Sequence, residues 1–176
     1  MIDFTKRLLS CPFAMFAGFG LLSTLALAMA LISQYFFGLA PCNLCIIQRY
    51  PYGVVIALGI IGLWAAKKKP VLTPWLLALT GVSFLFNSVV AFYHSGVELK
   101  WWKSFLEGCQ VPALSNDINE MMAQIQAAIK VVPCDEIPWA DPILGLSMAN
   151  YNVAFCLGLA VVALTAIIIQ KKKSGA

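Results

Sequence analysis

Four apolar runs, at residues 13–34, 46–66, 71–93 and 150–169, each reach the length of about 20 residues that a helix needs to cross a bilayer core. No other feature narrows the fold as far. Inside hydrocarbon a backbone amide has no water to bond, so runs of this length are predicted to be helices that satisfy their own N–H and C=O groups. Composition agrees: 61% of residues are apolar and 11% are charged, against about 25% charged in an ordinary soluble domain. The predicted architecture is an all-α membrane protein, a four-transmembrane-helix bundle forming a single domain over 1–176. It has a short outer loop near 35–45 and a long one over 94–149.

Charge placement orients this bundle. Lys6 and Arg7 precede the first run, Lys67, Lys68 and Lys69 join the second to the third, and Lys171, Lys172 and Lys173 follow the fourth. In a four-span chain these clusters share one side, and an excess of Lys and Arg marks the cytoplasmic side. Both termini are therefore expected in the cytoplasm, with the two remaining loops outside. Lysines that flank apolar spans are topology signals, and nothing here calls for nucleic acid. Lys6-Arg7, an apolar run and the small residues Ala26 and Ala28 imitate a signal peptide, but the run exceeds an h-region of about 7–15 residues. It is expected to stay as the first span.

Of the six cysteines, Cys42, Cys45, Cys109 and Cys134 fall in or beside the outer loops, where an oxidising compartment permits disulfides. Four cysteines allow three pairings. A C-x-x-C most often pairs with itself, which leaves Cys109 with Cys134. Cys11, near the inner face, and Cys156, inside the fourth run, are read as small buried apolar residues without a role.

The stretch "PCNLCIIQR" carries the chemistry. Pro41 suits the first position of a helix, which sets Cys42 and Cys45 in the first turn, where the positive end of the helix dipole favours thiolate. Arg49 follows Cys45 by one turn on the same face. A guanidinium there can stabilise a thiolate or the anionic oxygen of a bound acceptor, and an ionisable group inside a span marks a functional site. The competing reading is that Arg49 snorkels to the headgroups, since Pro41 lies only about 12 Å away along a helix. A structural Cys42–Cys45 disulfide would close too small a loop to constrain the chain. Structural zinc wants two close ligand pairs, whereas Cys109 and Cys134 stand far apart in sequence and the chain has a single histidine, so no metal is expected. A redox dithiol needs a terminal acceptor. With no dinucleotide fingerprint, haem motif or iron–sulfur cluster, an apolar acceptor dissolved in the lipid is left, which points to a quinone.

In the long loop, "YHSGVELKWW" puts His94 at a span end, as a catalytic group or a polar boundary residue, and its tryptophans at the height of interfacial anchors. Residues 117–130 space Ile118, Met121, Met122, Ile125 and Ile129 as a short amphipathic helix, capped by Asp117 and Glu120 and suited to the membrane surface.

"PCNLCIIQR", "YHSGVE" and "PCDEIPW…GLSMANYN", in this order, resemble the disulfide bond formation protein B (DsbB) family over most of 41–152. The resemblance implies a protein-dithiol:quinone oxidoreductase of the bacterial inner membrane whose site faces the periplasm. It would oxidise a periplasmic, thioredoxin-fold, DsbA-like partner and pass two electrons to ubiquinone or menaquinone. By position, Cys109 would be the sulfur attacked by the partner and Cys134 would pass electrons to Cys42. Cys45 would meet the quinone, assisted by Arg49 with His94 close to the same ring. Such a partner is a strong oxidant, at about −120 mV, so recharging it needs an acceptor stronger than glutathione. The sequence departs from many members at 103–108, "KSFLEG", where they carry a Gly-Pro-rich link, and at Gln48, where some have glutamate. A DsbI-like variant with a dedicated partner, a thiol-reductant conductor and a non-catalytic scaffold or metal carrier are the alternatives.

Overall fold

The structure is a computed structural model that describes residues 2–106, 109, 122 and 132–174. The amphipathic helix expected at 117–130 lies outside the described residues. Helix α1 (Ile2–Leu9) leads through Ser10 and Cys11 into α2 (Pro12–Tyr35), which opens with proline at its first position, where the missing N–H costs nothing. A loop reaches α3 (Asn43–Ile47), a short helix set off from α4 (Arg49–Lys68) by a turn at Gln48. A 3-10 turn, Pro70–Leu72, starts α5 (Thr73–Glu98), and α6 (Met148–Ser174) ends the described chain. Four segments are long and apolar enough to cross a membrane: Pro12–Tyr35, Asn43–Lys68, Pro70–Glu98 and Met148–Lys172. They match the four predicted runs. The third helix runs past the expected end at 93 to Glu98, and that extra turn shapes the site.

Helix α5 packs on α6, and α2 on α4, with α4 against α5 joining the two pairs. Between helices in lipid no solvent drives association, so close approach through small residues matters most. A Cβ on Gly59 would lie 3.3 Å from the Gly20 Cα, and one on Gly62 would strike the Phe16 ring at 2.3 Å. Phe16 fills that notch and is wholly buried. Around it Phe19, Val55, Leu77 and Phe84 form the core, with the Phe19 and Phe84 ring centroids 5.5 Å apart. Large apolar side chains such as Leu21, Met29, Trp75 and Val82 point outward, as a lipid-facing surface requires.

The basic clusters gather at one end. The Lys67 ammonium stands 5.0 Å from the Phe13 ring centroid, and Gln170 donates to the Leu9 carbonyl at 3.0 Å. The opposite end holds Cys42, Gln48, His94, Glu98 and Ser147, all buried.

Candidate active site

The local geometry of the C-x-x-C differs from the expectation in one respect. Cys42, not Pro41, opens α3. It sits at the N-cap with extended backbone (φ −74°, ψ 170°), and its Sγ accepts the Cys45 N–H at 3.3 Å. The sulfur takes the part that a serine or aspartate oxygen takes at an ordinary cap. Pro41 stands one residue earlier, where a fixed φ and no donor suit the extended approach. Capping in this way brings the sulfurs within 3.0 Å of each other, Cys42 donating to Cys45. That hydrogen bond, and then burial, push the Cys42 thiol up from the usual range. Cys45 lies on the wall of the cavity described below.

His94 comes from α5 and is 3% exposed. Its Nε2 is 3.5 Å from Cys42 Sγ, and its Nδ1 is 3.0 Å from the Gln48 amide nitrogen. Asn152 on α6 donates to Gln48 Oε1 at 2.6 Å, and the Tyr52 hydroxyl donates to Asn152 Oδ1. Tyr52 also meets the Cys156 sulfur at 3.2 Å, to which Asn87 donates at 3.4 Å. Buried polar groups in an apolar bundle favour partners, and this chain links one with the next across three helices, with the Asn87 Oδ1 the buried atom of the chain left without one among the described residues. Cys156, read from the sequence as an apolar filler, closes the chain as a hydrogen-bonding sulfur.

One turn beyond His94, Glu98 is 7% exposed. One carboxylate oxygen is 3.7 Å from His94 Nε2, and the other accepts the Ser147 hydroxyl. Ser147 also accepts the Asn150 N–H at 3.2 Å, so one side chain caps α6 and holds the carboxylate.

Cys109 and Cys134 form a disulfide. It packs in the same buried cluster as Cys42, Leu44 and Val97. Cys134 is packed in the same cluster as Cys42, whose sulfur His94 faces, so the imidazole stands beside the place where the two cysteine pairs meet. The chain reaches this position by folding back after α5. Trp102 donates to the Tyr93 carbonyl at 3.1 Å and stacks on the Tyr93 ring at 6.0 Å, pressed over Gly96, where a Cβ would lie 2.0 Å from the indole. Only glycine leaves room there.

Beside the cluster a cavity of about 820 Å³ runs between α2, α4 and α6. Its walls are largely apolar, with Cys45, Arg49, His94 and Glu98 facing it. Arg49 is half-buried and turned towards α2, donating to Gln34 Oε1 at 2.6 Å and to the Ala30 carbonyl at 3.5 Å. Carbonyls near a helix C-terminus carry partial negative charge, which suits a guanidinium held inside the bundle better than one reaching for headgroups.

The site residues expected from the sequence therefore gather in two adjoining places. Cys42, Cys45, Cys109, Cys134 and His94 share one cluster, while Arg49 stands on the cavity wall that Cys45 and His94 also line. The sequence reading gave Glu98 no role and noted Gln48 only as a departure from the family that was not expected to matter. Glu98 carried a signal, a carboxylate one turn from a histidine at the end of an apolar run. Ser147 and Asn152 carried none, because only packing brings α6 to α5.

The family model described as Disulfide bond formation protein DsbB matches residues 13–166. The chain belongs to the DsbB family. Among curated relatives, a Disulfide bond formation protein B of Stutzerimonas stutzeri is 29% identical over 163 residues, which cover 89% of this chain and 94% of the relative. One of Polaromonas naphthalenivorans is 30% identical over 170 residues, covering 92% and 94%. An uncharacterized protein of Rickettsia prowazekii is 27% identical over 142 residues, covering 75% and 74%. No solved structure matches significantly. As a DsbB family member the chain is a multi-pass membrane oxidoreductase of disulfide bond formation.

Proposed function

We propose that the whole chain, 1–176, works as one integral domain of a bacterial inner membrane and catalyses protein-dithiol:quinone oxidoreduction, with its site facing the periplasm. One observation carries this reading: the Cys109–Cys134 disulfide, the Cys42–Cys45 pair and His94 meet in one buried cluster beside an apolar cavity that also holds Arg49. The gathering of Lys67, Gln170 and α1 at the other end supports the orientation, since basic flanks stay in the cytoplasm.

In this reading a thiolate of a DsbA-like partner attacks Cys109, breaks the Cys109–Cys134 bond and forms a mixed disulfide. The partner's second thiolate displaces Cys109 and leaves as the oxidised partner, so two electrons now rest on Cys109 and Cys134. Cys134 then attacks Cys42 of an oxidised Cys42–Cys45 pair, and Cys45 departs as thiolate. Cys109 closes on Cys134 and frees Cys42. Each step exchanges one S–S bond for another, which demands close sulfurs and a good leaving thiol. The shared cluster provides the first, and the helix start at α3 favours the second.

The cavity fits a quinone, with apolar walls for a ring and tail and two nitrogen donors, on Arg49 and His94, for carbonyl oxygens. Bound ubiquinone or menaquinone supplies a two-electron, two-proton acceptor. Arg49 would orient the oxygen nearer α2, and Cys45 faces the same space. His94 and Glu98 stand where protons released from the dithiol can be held.

The test uses protein purified in detergent, a reduced DsbA-like protein and soluble ubiquinone and menaquinone analogues, with quinone absorbance as readout. Rapid loss of quinone that requires Cys45 is expected. No turnover with either analogue from folded protein would overturn the reading.

A further inference from the structure

The approach of His94 to the dithiol, which can hold protons during turnover, also has the geometry of a three-ligand metal site. The Sγ atoms of Cys42 and Cys45 and a ring nitrogen of His94 all lie within 4.8 Å of one another. Cys42 Sγ is 3.0 Å from Cys45 Sγ and 3.5 Å from His94 Nε2. In tetrahedral zinc sites, Zn–S bonds of about 2.3 Å and Zn–N bonds of about 2.0 Å set ligand–ligand edges of roughly 3.5–3.8 Å. The Cys42–His94 edge already has that length, the dithiol edge needs to open by about 0.8 Å, and the Cys45–His94 edge, within 4.8 Å, needs to close by about 1 Å at most.

We infer that the reduced Cys42–Cys45 pair and His94 form a binding site for a thiophilic divalent cation, zinc above all, which locks the dithiol in its reduced form.

Four features support it. Two thiolates and an imidazole are the donor set that zinc prefers among common divalent ions. The ion with two thiolates is neutral as a unit, which removes most of the cost of burying charge in an apolar bundle. Glu98, 3.7 Å from His94 Nε2, adds negative charge beside the three ligands, and the cavity leaves a fourth position open to its oxygen or to water. Finally, a ligating histidine needs an acceptor for its other N–H. The Gln48 amide already faces Nδ1; if Gln48 and Asn152 turn end for end together, Gln48 presents oxygen to the ring, Asn152 Oδ1 accepts from Gln48 and the Asn152 nitrogen faces the Tyr52 hydroxyl, so the ring can be supported in either tautomer.

Binding is not a redox step. One zinc ion replaces two thiol protons, which go to water, and two Zn–S bonds and one Zn–N bond form. The consequence for turnover rests on the proposed function: with both sulfurs occupied, Cys45 has no free thiolate for the cavity and Cys42 none to exchange. Zinc would then act as an inhibitor of the reduced enzyme, without effect on the oxidised one.

Cys109 and Cys134, far apart in sequence and joined to each other, do not supply a second ligand pair. Packing of α5 against α3 supplies the third ligand instead.

The experiment uses full-length protein in detergent carrying Cys109→Ala and Cys134→Ala, reduced without oxygen and titrated with Co²⁺ as a spectroscopic probe and then with Zn²⁺. One equivalent of cobalt should give thiolate-to-metal absorption with the intense visible bands of a tetrahedral site, displaced by zinc. Cys42→Ser and Cys45→Ser should each abolish the thiolate absorption, while Cys11→Ser and Cys156→Ser leave it unchanged. His94→Ala should weaken binding by more than about 100-fold, beyond the range of about 10- to 100-fold that loss of a supporting partner costs. Absence of the absorption, its persistence in the Cys42 or Cys45 variant, or unchanged affinity in His94→Ala would overturn the inference. Quinone turnover by the wild type, measured in parallel, separates the two claims. Cobalt binding without turnover supports the site and counts against the oxidase reading, whereas turnover without cobalt binding does the reverse.

Discussion

Cys42 Sγ lies 3.5 Å from His94 Nε2, although the two residues are 52 positions apart. The cysteine is the N-cap of a five-residue helix and the histidine belongs to the last turns of α5. Since His94 also faces the Gln48 amide and lines the cavity, one buried ring joins the dithiol to the cavity, beside the cluster that holds Cys109 and Cys134.

The first prediction concerns Cys42. Its thiol is raised chiefly by the hydrogen bond with Cys45, and a raised thiol stays protonated as pH climbs through the ordinary range of about 8.5. In reduced protein, alkylation of Cys42 should therefore show no inflexion between about pH 7 and 9. In Cys45→Ala the main cause is gone, and the inflexion should move down towards that range. Mass spectrometry of labelled thiols across pH reads this directly, and the pH dependence separates acidity from access. An unmoved profile in Cys45→Ala would show that burial alone sets the acidity.

Quinone use should depend on Arg49 more than dithiol exchange does. Arg49→Leu removes the guanidinium from the cavity wall and should raise KM for quinone by about 10- to 100-fold, the range for one charge-assisted hydrogen bond. Exchange between the partner and Cys109–Cys134 should stay within about two-fold, because Arg49 bonds Gln34 and Ala30 rather than either cysteine pair. Steady-state kinetics against single-turnover partner oxidation makes the comparison. Equal loss of both would assign Arg49 to folding.

Glu98→Gln keeps the shape of the side chain and a partner for Ser147 but cannot carry a proton. Quinone reduction should fall by about 100-fold, as loss of a positioned acid or base does, with little change in thermal stability. Partner exchange should be spared. A wild-type rate in this variant would leave Glu98 only its hydrogen bond to Ser147.

Two glycine substitutions probe packing. Gly62→Ala drives a methyl into the Phe16 ring and should destabilise the α2–α4 contact by about 1–3 kcal/mol. Gly18→Ala, with nothing within 4 Å of the new methyl, should stay within about 1 kcal/mol of the wild type. Thermal unfolding in detergent distinguishes them, and equal effects would argue against the notch that Phe16 fills.

Gly96→Ala should act on the site from a distance. The new methyl meets the Trp102 indole, breaks its stack on Tyr93 and loosens the segment that leads to Cys109. Tryptophan fluorescence should change and oxidation of the partner should slow several-fold, while reduction of quinone by pre-reduced protein stays near normal. Equal slowing of both half-reactions would place the effect in the bundle rather than in this segment.

The sequence alone determined the four helices, because apolar runs of spanning length leave the backbone no other way to satisfy its hydrogen bonds in lipid. It also placed the lysines at one end of the bundle, since four spans leave every second junction on the same side. The C-x-x-C announced redox chemistry by residue type and spacing, and the ordered motifs around it resembled the family that the chain belongs to. Its details escaped: Pro41, expected at the first helical position, lies before the cap, and Cys42 takes the N-cap with its sulfur accepting the Cys45 N–H. Only the tertiary structure set His94 against Cys42, tied Glu98 to Ser147 and ran a polar chain from Gln48 to Cys156. Local patterns report what a residue requires of its own helix. Buried polar groups need partners from other helices, and which partners they find depends on how those helices pack, through notches such as Gly62 and Gly96, rather than on any spacing along the chain.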